Sequence, residues 1–280
     1  MAPRKFFIYK ADGSRVPFNE NKILSTCVRA GASRDTAKKI LKRVRSEVYR
    51  DMTSRDVYKK VIQAISKEKN LRGLQHRYQL KESIMKLGPA GFAFENYVAA
   101  LLEYYGYRPY KIRAKVSGTC ISHEIDVIGI KDNKEYMIEC KYHASRGIYT
   151  GLKVSLYIHA RFIDTKPRFS GEIIFCNTKV SNNAKKYAQC IGQQIFSWRY
   201  PPSNSLETII EKNNLYPVTI LGLSQNELRM FSESNFMIAK DLLEHDKSHI
   251  AKITGISEKR IHNLQKLVEK ILYPHQTSEI

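Results

Sequence analysis

The sequence predicts a multidomain α+β protein: an N-terminal hairpin with a helical bundle, a central α/β unit built on a mixed sheet, and a small C-terminal helical domain. Three observations carry this. The chain, at 280 residues, is too long for one minimal domain. Hydrophobic spacing is helical up to residue 88, turns β-rich in the middle, and is helical again after 205. Turn-forming clusters, Gly88-Pro89 with Gly91 and Tyr200-Pro201-Pro202-Ser203-Asn204-Ser205, fall where the character changes. The expected domains are residues 1–88, 89–200 and 201–280.

The first domain opens with Phe6-Phe7-Ile8-Tyr9-Lys10-Ala11-Asp12-Gly13 and Val16-Pro17-Phe18, two short strands around an Asp-Gly turn. Helices are expected over Glu20 to Ala30, over Asp35 to Tyr49 with Ala37, Ile40, Leu41, Val44 and Val48 on one face, and over Ser54 to Ser66 behind a Thr53 cap. A fourth runs from about Leu71 to Lys86. The second domain begins with an apolar helix, Phe92 to Tyr105, which stops at Gly106. Three strands follow, Tyr110 to Val116, Cys120 to Ile130 and Tyr136 to Tyr142, separated by Ser117-Gly118 and Asp132-Asn133, the turn chemistry of a meander. A helix from about Gly151 to Ile163, a strand Glu172 to Asn177, a helix Asn182 to Cys190 and a strand Gln194 to Trp198 complete an α/β unit. Leu206 to Leu272 reads as short-looped helices.

No apolar run approaches the roughly 20 residues of a membrane span. The first 15 residues lack the apolar core of a secretory signal, so a cytoplasmic protein without membrane contact is expected. Five cysteines, with no CxxC pair among them, argue against both a disulfide framework and a zinc ribbon. Charge is more informative. Residues 1–89 hold 22 Lys+Arg against 8 Asp+Glu, a net +14, whereas residues 90–280 hold 25 against 19. A field of this size attracts polyanions such as nucleic acid or nucleotides.

Strand periodicity makes the middle domain chemically interesting. Glu139 and Lys141 lie two apart and project from one face, while Cys140 points into the core. On the preceding strand Glu124 and Asp126 alternate with the apolar Ile125 and Val127, so its acidic face can sit against Glu139 and Lys141. Carboxylates of this kind suit Mg²⁺ (or Mn²⁺), which activates a phosphodiester and a water. Lys141 would orient that water, and Glu95, on the helix before the sheet, could complete the set. A merely solvated strand face is the bland alternative.

Ile125-Asp126-Val127 and Ile138-Glu139-Cys140-Lys141, with Glu95 upstream, resemble the PD-(D/E)XK restriction-endonuclease-like superfamily, nearest in pattern to its Mrr-like and Holliday-junction-resolvase-like branches. The resemblance covers about residues 90–200. It implies a restriction-endonuclease-like sheet, metal held by Asp126 and Glu139 with Glu95 as the helix acid, and Lys141 acting on the water. His123-Glu124 stands where Mrr-like sequences often have glycines, and Glu124 is expected in solvent or behind the metal ligands. Lys153, His159 and Arg161 on the following helix would contact the scissile phosphate or form a polar helix face. His143 would join Lys141 or lie at the surface.

Residues 4–88 resemble the ATP-cone, a nucleotide-sensing domain, through Ile8-Tyr9-Lys10-Ala11-Asp12-Gly13, Val16-Pro17-Phe18, Lys22-Ile23 and Thr53-Ser54-Arg55-Asp56-Val57. That implies ATP or dATP as an allosteric ligand, with Lys10 and Lys22 on phosphates, Asp12 and Gly13 making the turn, and Thr53 and Lys86 near the nucleotide. Ala11 replaces an arginine of the family's Lys-Arg-Asp-Gly. No GxxxxGK[ST] loop is present, so a P-loop ATPase is excluded. A basic DNA-binding module that has kept this fold is the competing reading. Near the end, Ile253-Thr254-Gly255-Ile256-Ser257 is similar to a helix-hairpin-helix turn, whose free N–H groups can hold a DNA phosphate; a dimerising helical hairpin is the other reading.

The expectation is therefore a homo-oligomeric, Mg²⁺-dependent DNA endonuclease acting on double-stranded or branched DNA, regulated by an adenine nucleotide. The alternative is a non-enzymatic, nucleotide-responsive DNA-binding regulator on a nuclease-like scaffold.

Overall fold

The computed structural model describes residues 6–68, 72–88 and 92–273. The break expected at Pro89 and Gly91, the helix start at Leu71 and the polar tail from residue 274 lie outside them.

Strands β1 (Phe7–Tyr9) and β2 (Arg15–Pro17) form the leading hairpin. Gly13 takes φ +77°, a left-handed turn position open to glycine at no steric cost. Three helices follow, α1 (Glu20–Arg29), α2 (Arg34–Glu47) and α3 (Ser54–Ser66). Ser33 and Thr53 cap α2 and α3 by accepting from the N–H groups of Thr36 and Asp56. Their apolar stripes, among them Ile23, Cys27, Ala37, Ile40, Val44, Val61 and Ile65, make a separate core. The hairpin is tied to the segment leading into α3 through Tyr9 N–H, which donates to the Met52 carbonyl at 2.9 Å.

The fourth expected helix is two, α4 (Arg72–Tyr78) and α5 (Leu80–Ile84), interrupted at Gln79. The interruption lets the two pieces serve different cores. Leu74 packs with α1 to α3, whereas Leu80, Ile84 and Leu87 join the core under the central sheet.

After α6 (Phe92–Leu101) come β3 (Arg108–Ser117), β4 (Ser122–Lys131) and β5 (Lys134–Lys141), an antiparallel meander. Asp132 and Asn133, at φ +50° and +59°, close the tight β4–β5 turn with the left-handed pair that two-residue hairpins favour. The short β6 (Tyr149–Thr150), α7 (Leu152–Thr165), β7 (Gly171–Cys176), the short β8 (Lys179–Val180), α8 (Asn182–Ile191) and β9 (Gln194–Ser197) complete the unit. The sheet order is β3-β4-β5-β7-β9, with β5, β7 and β9 parallel, and β6 pairs β8 beside it.

Helices cover both faces of this sheet. Val127, Ile138, Ile173 and Phe175 pack toward α6 and the C-terminal helices. Ile128, Met137, Ile174 and Ile195 pack toward Ile158 of α7 and Ala184 and Ala188 of α8. The C-terminal part is α9 (Leu206–Asn213), α10 (Gln225–Glu233), α11 (Lys247–Thr254) and α12 (Glu258–Leu272), with short 3₁₀ turns between them. Gly255, at φ +73°, ends α11, and Ser257 caps α12. This is the α+β architecture the sequence predicts. No helix of the described residues is long and apolar enough to cross a membrane. All five cysteines are free thiols.

Candidate active site

The site is built where two strands change face. Strict alternation would put Ile125 and Val127 on one side of β4 with Glu124 and Asp126 opposite. Instead Ile125 belongs to the α7-side core and Val127 to the α6-side core. The same switch occurs across the ladder, where Ile112 packs to the α6 side and Ala114 to the α7 side. Its cause is Arg113, whose backbone is left-handed at φ +51° and turns the strand over. Ile112 pairs with Val127 and Ala114 with Ile125, so Arg113 and Asp126 oppose one another as the rung the ladder skips. Asp126 is thereby separated from the exposed Glu124 and turned onto the next strand, where its Oδ2 accepts from the Cys140 N–H at 2.7 Å.

Glu139 and Lys141 share a face of β5, and Cys140 is buried on the other. Glu139 is only 3% exposed. Its Oε1 pairs with Lys141 Nζ, and its Oε2 accepts from Arg161 Nη1 of α7 at 2.6 Å. A buried carboxylate requires such partners, because an unpaired charge in the interior is far more costly than a paired one. Glu95 reaches the same place from α6 and pairs with Arg113 Nη1 at 3.3 Å.

Electrostatics reveal how tightly these acids are gathered. Burial, reinforced by Glu139 and Glu95, pushes the Asp126 carboxyl up to about 7, against the opposing pull of the Cys140 N–H and Lys141. Burial likewise raises Glu95, opposed by Arg113 and assisted by Glu124 and Glu139. Glu95, Asp126, Glu139 and Lys141 are thus brought together. Among the described residues, however, no group of three or more His, Cys, Asp or Glu is arranged to hold a metal ion. Glu139 explains part of this, since both of its oxygens are engaged by Lys141 and Arg161.

The neighbouring polar residues divide. Arg161 is buried on Glu139, not displayed on a polar helix face. Its position was legible, since Ser155, Ile158, Arg161 and Thr165 make one buried stripe at helical spacing. Lys153 is exposed, and His159 turns to Glu172 at 2.6 Å. His143 meets Thr150 Oγ1 at 3.1 Å, and burial beside Lys141 and Lys81 lowers its pKa. Sequence reasoning missed Arg113, because nothing in a strand pattern marks a left-handed arginine. It also missed Lys81 and Asn177. The Asn177 carbonyl accepts from Lys81, its Oδ1 accepts from the His143 N–H at 2.8 Å, and its Nδ2 donates to the His143 carbonyl at 3.0 Å.

Of the residues expected near a nucleotide, Lys10 and Asp12 line a cavity between the hairpin and the central sheet. Gly13 forms the turn, and Asp12 accepts from the Ser14 N–H at 2.9 Å. Lys22, Thr53 and Lys86 are not in that wall: Lys22 is on α1, Thr53 caps α3 and Lys86 is exposed beyond α5.

Residues 6–80 match the ATP cone domain family, so the N-terminus is an ATP cone, and residues 216–272 match the C-terminal domain of the AF1548-like family. An uncharacterized protein of Archaeoglobus fulgidus is 36% identical over 176 residues, covering 62% of this chain and 99% of its own length. The chain belongs to that protein's family. A solved structure, AF1548, a protein of unknown function, has a TM-score of 0.59 at 36% identity and covers 64% of this chain and 97% of its own. Can2 from Sulfobacillus thermosulfidooxidans, solved in complex with cyclic tetra-adenylate, has a TM-score of 0.34 at 14% identity over 69% of this chain and 54% of its own, too loose a superposition to bear on fold or function.

Proposed function

We propose that this protein is a Mg²⁺-dependent DNA endonuclease, with Mn²⁺ as a substitute metal, whose N-terminal cone binds ATP or dATP and regulates cutting of double-stranded or branched DNA. Residues 1–88 act as the sensor, 89–200 as the nuclease and 201–280 as a helical module, in a cytoplasmic homo-oligomer. The observation that carries this reading is the convergence of Glu95, Asp126 and Glu139 beside Lys141, close enough that Glu139 and Glu95 both raise the Asp126 carboxyl. A scaffold gains nothing from crowding acids in this way.

The donor set fits a hard divalent cation, because it is all carboxylate oxygen and the acids repel one another. Asp126 and Glu139 would hold the metal, with Glu95 as third acid; a cation there shares Glu139 with Lys141 and Arg161. When bound, Mg²⁺ supplies Lewis-acid activation of the phosphodiester and of the attacking water. Lys141 orients that water and offsets negative charge developing on the phosphate. Arg161 locks the Glu139 rotamer, and Arg113 holds Glu95 toward the sheet. The net charge of +20 draws in the DNA backbone.

The second reading is a non-enzymatic, nucleotide-responsive DNA-binding regulator. It draws on the two cationic partners of Glu139, which satisfy that carboxylate within the protein. Incubation of the intact chain with supercoiled plasmid and with branched DNA separates the two. Nicking or cutting that needs Mg²⁺ or Mn²⁺ and responds to ATP or dATP is the expected result. DNA binding without cleavage under every metal and nucleotide condition would leave the regulator.

A further inference from the structure

A second site lies at the seam between the cone and the central sheet. The parallel strands β5, β7 and β9 all end on this side, the edge of an α/β sheet where ligands habitually bind. The hairpin turn of the cone closes over it. Gly147, in the loop after β5, approaches so closely that a Cβ there would lie 3.4 Å from the Asp12 backbone nitrogen. The cavity between them is about 260 Å³.

Its wall is strongly cationic. Lys10 comes from the cone, Lys81 from α5, Arg146 from the loop after β5, Lys179 from β8 and Arg199 from the end of β9, against the single carboxylate of Asp12. Arg146 pairs with Glu82 and Arg199 with Glu207, but Lys10, Lys81 and Lys179 have no carboxylate within ion-pair distance among the described residues. Lys81 stands 4.3 Å over the Trp198 ring and donates only to the Asn177 carbonyl. Burial, with Arg146 and Arg199 nearby, lowers its pKa to about 7. Cations converging from five separate segments on one pocket repel one another unless an anion joins them.

We propose that this seam cavity binds a compact polyphosphate, the phosphate tail of a nucleotide or a free polyphosphate, with Arg146, Lys179 and Arg199 of the central unit and Lys81 of α5 as ligands alongside Lys10 of the hairpin. The inference rests on the nucleotide-regulated reading above and moves most of the phosphate contacts out of the cone. A cavity of this size suits a compact anion, and the cations of two domains on one ligand make occupancy a clamp between them. Asn177 carries the clamp toward the candidate active site: its carbonyl accepts from Lys81, and its side chain holds both backbone groups of His143, two residues beyond Lys141.

Trp198, the single tryptophan of the chain, forms part of the wall and reports the site directly. The intact protein is titrated with inorganic tripolyphosphate, with ATP and with a short DNA duplex, by Trp fluorescence and calorimetry. Tripolyphosphate and ATP should both bind and shift Trp198 emission. Lys81→Met and the pair Lys179→Ala with Arg199→Ala should each weaken binding about tenfold or more, with Lys22→Ala unchanged. The surface pair keeps the test valid if Lys81→Met fails to fold. ATP binding that is lost in Lys22→Ala and indifferent to the seam variants would overturn the seam site and leave the cone reading standing. Tripolyphosphate bound through Lys81, with ATP no tighter, would keep the seam and remove the nucleotide. Absence of binding by both anions, or a Trp198 response to the duplex alone, overturns the proposal.

Discussion

Arg161 of α7 donates from Nη1 to Glu139 Oε2 at 2.6 Å, and both side chains are buried. The pair fixes the acid that stands at the centre of the site. Arg161→Ala leaves Glu139 buried with Lys141 as its remaining cation, and loss of one partner from a buried ion pair costs about 3–5 kcal/mol. A fall in urea midpoint with unchanged slope is expected. Adding Glu139→Gln to Arg161→Ala should restore part of the loss, because it removes the stranded charge. Wild-type stability in Arg161→Ala would show that the pair does not hold β5 to α7.

Asp126→Ala and Lys141→Ala should each lower Mg²⁺-dependent cleavage at least about 10²-fold while DNA binding stays close to wild type. Activation is concentrated in those side chains, whereas affinity is spread over many lysines and arginines. Gel-shift and plasmid-cutting assays on the same preparations check both halves. Full cleavage by the two variants would remove the assigned site.

Much of this was legible in the sequence, for identifiable reasons. Glu139, Cys140 and Lys141 obey simple alternation, because β5 is a regular interior strand with ladder partners on both sides. The helix over Ser54–Ser66 was fixed by Thr53 and its apolar spacing. The fourth helix was misjudged because its interruption at Gln79 serves two cores, a tertiary cause that local pattern does not carry. The face change at Asp126 was hidden for a related reason. It is imposed by Arg113 on the neighbouring strand, and Ile125 and Val127 are both apolar whichever core receives them. Lys81 looked like one helix lysine among many until the fold placed it over Trp198.

Gly73 tests how α4 docks on the C-terminal helix. A Cβ there would lie 2.2 Å from the Lys270 carbonyl oxygen of α12, a backbone atom that cannot swing aside. Alanine is otherwise favoured over glycine inside a helix by about 1 kcal/mol. Gly73→Ala should nevertheless destabilise by about 1–3 kcal/mol, as overpacking does. The opposite sign in a thermal melt would mean that α4 and α12 do not pack this closely in solution.

Lys81 gives the chain a pH signature. Burial brings its folded-state pKa to about 7, against the ordinary 10.5. Between these values the unfolded chain binds the extra proton, so stability rises with pH across the window and is lost as pH falls from 10.5 toward 7. Groups acting on Lys81 include Arg146 and Arg199, which repel its charge, and Glu207, which attracts it. Lys81→Met should flatten this slope and melt higher than wild type near neutral pH without ligand. Equal slopes in the two proteins, measured by chemical denaturation at about pH 7 and about pH 9, would place the lysine in solvent.

Nucleotide occupancy should change what the nuclease does. The cone contributes Lys10 and Asp12 to a cavity whose other walls follow the strand carrying Glu139 and Lys141, so a ligand there contacts both units. A ligand alters activity only by binding two protein states unequally, and one that bridges the two units would favour the state in which they are held together. ATP or dATP should therefore shift either the cleavage rate or the oligomer distribution of the intact chain. Lys10→Ala combined with Lys22→Ala should abolish the shift and leave nucleotide-free, Mg²⁺-dependent cutting as it was, since neither lysine touches Asp126 or Glu139. Cleavage time courses and light scattering, run with and without nucleotide, check this. A nucleotide effect that survives the double variant would mean that the cone lysines do not sense the ligand. Loss of DNA binding in that variant, with no nucleotide effect in the wild type, would identify the cone as a DNA clamp.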